Sequence, residues 1–116
     1  MAYEELKSRF RKFSIDVARL IQVIPKNTIN TPYCNQLIRC SSSSGANYYA
    51  ACRGKSSADF INKLKIVEEE LDESIFFLDL LLEFNTEYAT QIKLLMKEGN
   101  ELLAITVQSI KTSRGK

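Results

Sequence analysis

The stretch RCSSSSGANYYAAC, from Arg39 to Cys52, decides the fold of this chain. Four consecutive serines and a glycine are typical of a flexible connector, and serine, glycine and asparagine all lower intrinsic helicity. The residues on both sides favour a helix instead. They continue one helical stripe, which consists of Leu37, Ile38, Tyr48 and Tyr49. Intrinsic propensity is a weak guide when tertiary contacts compete with it, so the stretch is predicted to be helical.

Small side chains recur along the same stretch at spacings of three to seven residues, at Ser41, Ser44, Gly45 and Ala51. A face of small residues lets a neighbouring helix approach closely, and the burial that follows offsets their poor propensity. The sequence therefore predicts one uninterrupted helix over residues 31–53. Thr31 is expected to be its N-cap, and Pro32 its first helical residue.

The rest of the chain shows the spacing of core-facing helices. A first helix, over residues 3–24, is indicated by a stripe that ends before Pro25 and comprises Leu6, Phe10, Phe13, Val17, Leu20 and Ile24. A third helix, over residues 57–84, is expected to begin after Gly54 with Ser56 and Asp59 as a capping box. A fourth helix, over residues 87–111, follows a cap in the turn at residues 85–87, and residues 111–116 are expected to fray.

Four long helices joined by short loops predict an all-α fold, an up-down-up-down left-handed antiparallel four-helix bundle. The 116 residues are enough for one domain with its own core, so residues 1–116 are taken as a single domain. The chain begins with charged residues and contains no apolar run long enough to cross a bilayer. These features predict a cytoplasmic protein with no membrane among its partners.

The composition leaves little room for catalysis or for a metal or cofactor site. There is no histidine, which removes the commonest general base and the Glu-x-x-His ligands of di-iron bundles. The three cysteines, Cys34, Cys40 and Cys52, show no C-x-x-C spacing and are expected to be reduced thiols. Gly54-Lys55-Ser56 lacks the rest of a phosphate-binding loop. The sequence thus predicts a protein that is not an enzyme and has no cofactor.

The second half of the third helix, SIFFLDLLLEF, is apolar nearly all round its axis. One bundle core covers only one side of a helix, so the remaining apolar side chains need a second partner. Another copy of the same chain is the economical candidate. The predicted contact residues are Phe76, Phe77, Leu80, Leu81 and Phe84.

Charge is distributed unevenly, although the net charge is only +2. Residues 1–65 carry +7, residues 66–110 carry −8 and residues 111–116 add +3. Basic side chains could gather into a nucleic-acid-binding surface, while an ordinary solvated helix face is the commoner explanation of such charges. The candidates are Lys7, Arg11, Lys12, Arg19, Arg39, Arg53 and Lys55, with Lys63 and Lys65 beside them. In the acidic run of the third helix, Glu70 or Glu73 is expected to pair with Arg39.

The segment from Leu37 to Leu81 resembles the signature of the four-helix-bundle proteins known as the 23S ribosomal RNA intervening-sequence family. The pattern is L-x-R-x-x-x-S-x-G-A-N, then a basic, serine-containing turn, then F-x-x-K-L-x-I-x-x-x-E-L-x-E-S. Its positions here are Leu37, Arg39, Ser43, Gly45, Ala46, Asn47, Ser56, Phe60, Lys63, Leu64, Ile66, Glu70, Leu71, Glu73 and Ser74. The chain departs from the family at Ala50, where relatives often carry Glu.

The resemblance implies a bacterial all-α bundle that assembles into rings, commonly pentamers, with no established enzymatic activity. It also implies contact with nucleic acid, because a related protein is the accessory factor of retroelement reverse transcriptases. Two functions follow as hypotheses. The first is an oligomeric accessory protein that binds RNA or DNA, with affinity that falls steeply with salt. The alternative is a protein-protein interaction scaffold without nucleic-acid binding, whose partner could be a protein encoded nearby.

Overall fold

The computed structural model describes residues 3–115 and consists of helices joined by short turns. The helices are α1 (Tyr3–Val23), α2 (Asn30–Cys52), α3 (Ser57–Phe84) and α4 (Ala89–Arg114), with a short 3-10 turn over Thr86–Tyr88 before α4. The body measures 47 × 21 × 20 Å, so it is about as long as its longest helix. The all-α prediction is confirmed.

Each helix packs against two neighbours, in the order α1, α2, α3, α4 and back to α1. Consecutive helices run in opposite directions. Ser14 lies beside Ser41, and the later residue Ile24 is placed near the start of α2 rather than its end. Ser74 lies beside Cys40, near the middle of both helices, whereas Asn85 lies beside Asn30. This is the antiparallel four-helix bundle that the short loops predict.

The serine-rich stretch is helical throughout, as predicted. Ser41 and Ser44 are completely buried, and Ser44 Oγ donates a hydrogen bond to the carbonyl of Ser41 at 2.7 Å. Across the helix pair, Ser14 Oγ lies 3.2 Å from the same carbonyl. A Cβ on Gly45 would lie 3.6 Å from Phe10 Cβ, so α1 packs directly on this face. Close approach therefore buries the small residues and satisfies their hydroxyl groups.

The start of α2 differs from the prediction. The helix begins at Asn30, and the backbone N–H groups of Ile29 and Asn30 donate to Asn27 Oδ1 at 3.0 and 2.7 Å. Thr31 therefore lies inside the first turn and does not cap it. Pro32 is the third helical residue, where its missing N–H still costs nothing, because the first four N–H groups of a helix have no intrahelical partner.

The start of α3 follows the prediction, since the backbone N–H of Asp59 donates to Ser56 Oγ at 3.1 Å. The preceding helix ends at Cys52, with Arg53 as its C-cap, one residue earlier than predicted. At the other end of the chain α4 continues to Arg114, past the predicted end at residue 111.

Asn85, which lies in the predicted cap turn, does not cap α4, because its side chain is buried against α2. Asn30 Nδ2 donates to Asn85 Oδ1, and Asn85 Nδ2 donates back to Asn30 Oδ1, both at 2.9 Å. The second amide hydrogens go to the carbonyls of Pro25 and Leu81, also at 2.9 Å. With Asn85 engaged there, the chain passes through the 3-10 turn, and α4 begins at Ala89 rather than Glu87.

Candidate nucleic-acid interface and contact surfaces

One end of the bundle is strongly basic. The antiparallel order brings the first turns of α1 and α3 next to the last turns of α2 and α4, and the rings of Tyr3 and Phe60 lie 6.2 Å apart there. We call the region of residues 3–8, 47–66 and 104–115 the basic end. It carries three acidic side chains and seven basic ones: Lys7, Arg53, Lys55, Lys63, Lys65, Lys111 and Arg114.

Most of these basic side chains have no anionic partner within residues 3–115. Lys7 pairs with Glu4 at 3.3 Å. The other six take part in no ion pair among the described residues. Their charge is therefore available to an external anion such as a phosphate group.

The structure gathers three of the seven predicted nucleic-acid residues at the basic end, namely Lys7 on α1 and Arg53 and Lys55 in the α2–α3 connection. Arg11 and Lys12 lie further along α1, level with the acidic run of α3, and Lys12 pairs with Asp16 at 2.6 Å. Arg19 lies eight residues beyond Arg11 on α1, which is about 12 Å along the axis. It lines a separate pocket with Val23 and Leu94, toward the opposite end.

Arg39 is also outside the basic end, and its charge is compensated. Its guanidinium nitrogens lie 3.4 Å from Glu70 Oε2 and 3.7 Å from Glu73 Oε2, so the predicted pairing is confirmed. Burial raises the pKa of Glu70, and the neighbouring Glu73 carboxylate raises it further, while Arg39 acts in the opposite direction. Arg39 therefore belongs to the α2–α3 contact rather than to a free basic surface.

Lys111 and Arg114 were not among the basic residues predicted from the sequence, because both were expected to lie in the frayed C-terminal tail. In the structure both lie in the last turn of α4. Basic residues favour a helix C-terminus because they complement the partial negative charge of the free carbonyls there. That preference was the available signal that the helix extends to Arg114.

A shallow groove of about 380 Å³ runs between α1 and α2. We call it the α1–α2 groove, and its lining residues are Arg11, Ser14, Ile15, Ser42, Gly45, Ala46 and Tyr49. The floor of the groove consists of small side chains, which leave the space between the two helices open. Lys7 Nζ lies 5.5 Å from the centre of the Tyr49 ring, within the range of a cation–π contact.

A second apolar surface lies on the outside of α3 near its C-terminus. Phe76 is 56% exposed and Phe84 is 55% exposed, while Phe77 and Leu80 are half-buried. The Tyr33 ring of α2 lies 6.2 Å from Phe77 and 6.4 Å from Phe84. We call this surface the aromatic face. Exposed clusters of large apolar side chains commonly mark interaction sites.

Leu81 was predicted to belong to the same contact surface, and this assignment is wrong. Its side chain is completely buried in the core of the bundle. Helix periodicity explains the difference, because Leu81 lies one turn from Leu78 on the inward side of α3, whereas Leu80 lies toward the outside.

The residues that carry the family resemblance serve the α1–α2 and α2–α3 contacts. Asn47 Nδ2 donates to the carbonyl and the Oγ of Ser43 at 2.9 and 3.1 Å. Gly45 faces α1 and Ala46 is exposed at the groove. On α3, Leu64 is fully buried and Phe60 packs against the core from its edge.

Fold and charge together define a small helical bundle with one basic end, an acidic and aromatic outer face on α3, and no helix within residues 3–115 that is long and apolar enough to span a membrane. The sequence matches the 23S rRNA-intervening sequence protein family over residues 5–108. The chain belongs to this family.

A solved structure is closely similar to this bundle. It is a protein of unknown function from the S23 ribosomal protein family of Bacteroides thetaiotaomicron, with 26% sequence identity and a TM-score of 0.85. The match covers 96% of this chain and 99% of the other. No curated protein matches the sequence.

Proposed function

We propose that this protein is a non-enzymatic, cytoplasmic accessory protein that forms a homo-oligomer and binds RNA through its basic end. The observation that carries the proposal is the excess of seven basic over three acidic side chains at that end, six of the basic ones without an ion-pair partner within residues 3–115. RNA is chosen over DNA as the first ligand to test because the family description mentions 23S rRNA.

Binding of this kind works by charge and is insensitive to base sequence. Lysine and arginine side chains that approach phosphates release condensed counterions, so the affinity falls as the salt concentration rises. The free cations at the basic end come from α3, α4 and the α2–α3 connection. They therefore face one ligand from several sides and form a positively charged platform for phosphates. A single helix that enters a groove of the nucleic acid and contacts base edges would be a different arrangement.

Self-association is the second part of the proposal. The aromatic face leaves Phe76 and Phe84 more than half exposed, which supplies the apolar area that a stable contact needs. The resemblance to the intervening-sequence family suggests a pentameric ring. An oligomer would also present several basic ends to one RNA, which raises the effective affinity without any new type of contact.

The test compares two variants with equal numbers of neutralised charges on the same helix. Lys111→Gln/Arg114→Gln removes charge from the basic end, and Lys93→Gln/Lys97→Gln removes exposed charge outside it. Binding to a fluorescent structured RNA is followed by anisotropy between about 50 and 200 mM salt. We expect weaker binding and a salt slope smaller by about 2 for the basic-end variant, and an unchanged slope for the control.

Equal losses for both variants would show non-specific attraction to the whole chain and would contradict the assignment to the basic end. Absence of RNA binding by the wild-type protein at low salt would contradict the proposal itself. Tighter binding of a DNA duplex than of an RNA of equal length would show that RNA is the wrong class.

A protein-protein scaffold is the second candidate function, and the aromatic face is the observation that favours it. A scaffold would bind its partner through apolar contacts, so its binding would depend weakly on salt. In the same assay it would leave RNA anisotropy unchanged, whereas Phe76→Ala would abolish capture of a partner protein.

A further inference from the structure

We infer that the copies in the oligomer meet through two different surfaces: the outer side of α3 of one copy packs into the α1–α2 groove of the next. This inference rests on the self-association proposed above and adds which surfaces meet. Three observations carry it, namely complementary charge, complementary shape and equal height along the bundle.

The two surfaces carry opposite charge next to apolar side chains. On α3, exposed Glu69 and Glu73 lie two turns and one turn before Phe76, respectively, on the same outward side. In the groove, Arg11 lies one turn before Ile15. Neither Glu69 nor Arg11 takes part in an ion pair within residues 3–115, so each charge is free to meet the other in a neighbouring copy.

Their shapes are complementary as well. Phe76 projects from α3 and is 56% exposed. The α1–α2 groove offers about 380 Å³ above a floor of small residues, which is room for a large aromatic side chain such as Phe76. An aromatic ring that fills this groove would remove apolar area from water on both copies.

The heights along the bundle also agree. Ser14 of α1 lies beside Ser41, and Cys40 lies beside Ser74, so these four residues are at one level. Counted at about 1.5 Å per residue from that level, Arg11 falls between Glu69 and Glu73, and Ile15 falls near Phe76. Two copies that stand side by side in the same orientation therefore bring the charged groups together and the apolar groups together.

The two surfaces lie on neighbouring sides of the bundle, because the aromatic face leans toward α2 through Tyr33 and the groove also borders α2. A contact between two different patches of identical chains repeats from copy to copy, and it closes into a ring when each copy is turned relative to the last. Neighbouring sides supply such a turn, whereas opposite sides would build a filament.

A charge exchange tests the pairing, with oligomer size measured by light scattering after gel filtration. Arg11→Glu and Glu69→Arg are each expected to shift the wild-type oligomer to monomers, since each places like charges face to face. The double variant Arg11→Glu/Glu69→Arg is expected to assemble again, because the charges are exchanged rather than removed.

Lys93→Glu, an exposed charge reversal on α4, is the control and is expected to leave the oligomer intact. Circular dichroism of each variant checks that the helices remain folded. A monomeric wild-type protein would overturn the proposed self-association. A wild-type oligomer that either single variant leaves intact, or that the double variant fails to restore, would overturn only the pairing of these two surfaces.

Discussion

The serine-rich part of α2 is buried, although its polar composition suggests exposure to solvent. The phenylalanine-rich end of α3 is partly exposed, although its apolar composition suggests burial. Ser41 and Ser44 are completely buried, whereas Phe76 is more than half exposed. Both stretches are helical, so the difference lies in where each side chain points and in how close the next helix comes. Angular position on the helix, rather than residue type, decides burial in this bundle.

The physical reasons differ between the two stretches. A buried serine costs little when its hydroxyl finds a partner, and Ser44 Oγ reaches the carbonyl one turn earlier in its own helix. An exposed phenylalanine follows from geometry, because α3 is apolar on more sides than one core can cover. The first stretch therefore stabilises the single chain, while the second is available to a partner.

The largest expected effect separates core and surface on α3 itself. Leu78 is completely buried, and Leu78→Ala should destabilise the fold by about 2–5 kcal/mol through lost transfer energy and the cavity that remains. Phe76→Ala removes a larger side chain and should cost less than about 1 kcal/mol, because most of that side chain already contacts water. Urea titration at a protein concentration low enough for monomers measures both. Equal losses would mean that Phe76 is part of the monomer core.

The next effect tests the buried serines. Ser44→Leu should destabilise the fold by about 1–3 kcal/mol or more, because no space exists for the added carbons between α1, α2 and α3. Ser8→Leu makes the same chemical change at an exposed position of α1 and should alter stability by no more than about 0.5 kcal/mol. Thermal unfolding of both variants measures the difference. A tolerated Ser44→Leu would contradict close packing along the serine face.

The smallest effect concerns how close the approach at Gly45 is. A Cβ there would lie 3.5 Å from Ser14 Oγ, which is ordinary contact, so Gly45→Ala should stabilise the helix by about 0.5–1 kcal/mol. At Gly99 a Cβ would lie 3.2 Å from Ile75 Cγ1, and the neighbour would have to shift. Gly99→Ala should therefore gain less or lose stability. A loss at Gly45 in denaturant titration would show that even a methyl group is too large there.

Periodicity predicted the helices and the core because those features depend on many residues at once. All six stripe residues of α1 are buried, and the serine-rich stretch is helical. The helix ends depend on single hydrogen bonds, and two of them were predicted wrongly. Asn27 caps α2 instead of Thr31, and Asn85 turns inward to Asn30 instead of capping α4. Several residues could cap each helix, and only the tertiary contacts decide between them.

The candidate site was predictable in composition but not in position. Counting charges along the sequence shows an imbalance, yet the antiparallel order decides which charges share an end. Arg39 fitted both a basic surface and a pairing with Glu70 or Glu73, and the structure shows the pairing. Leu81 was grouped with the aromatic face because an almost uniformly apolar segment contains no signal for which side faces inward.

Two hydrogen bonds join the side-chain amides of Asn30 and Asn85, and this pair constrains the sliding of α3 along α2. A displacement by one helical turn would leave two amide groups unsatisfied in a dry environment, at a cost of about 1–3 kcal/mol for each unsatisfied group. Only one alignment lets both amides bond, and that alignment also holds Tyr33 beside Phe77 and Phe84. The buried pair of asparagines thus fixes the position of the aromatic face on the surface of the bundle.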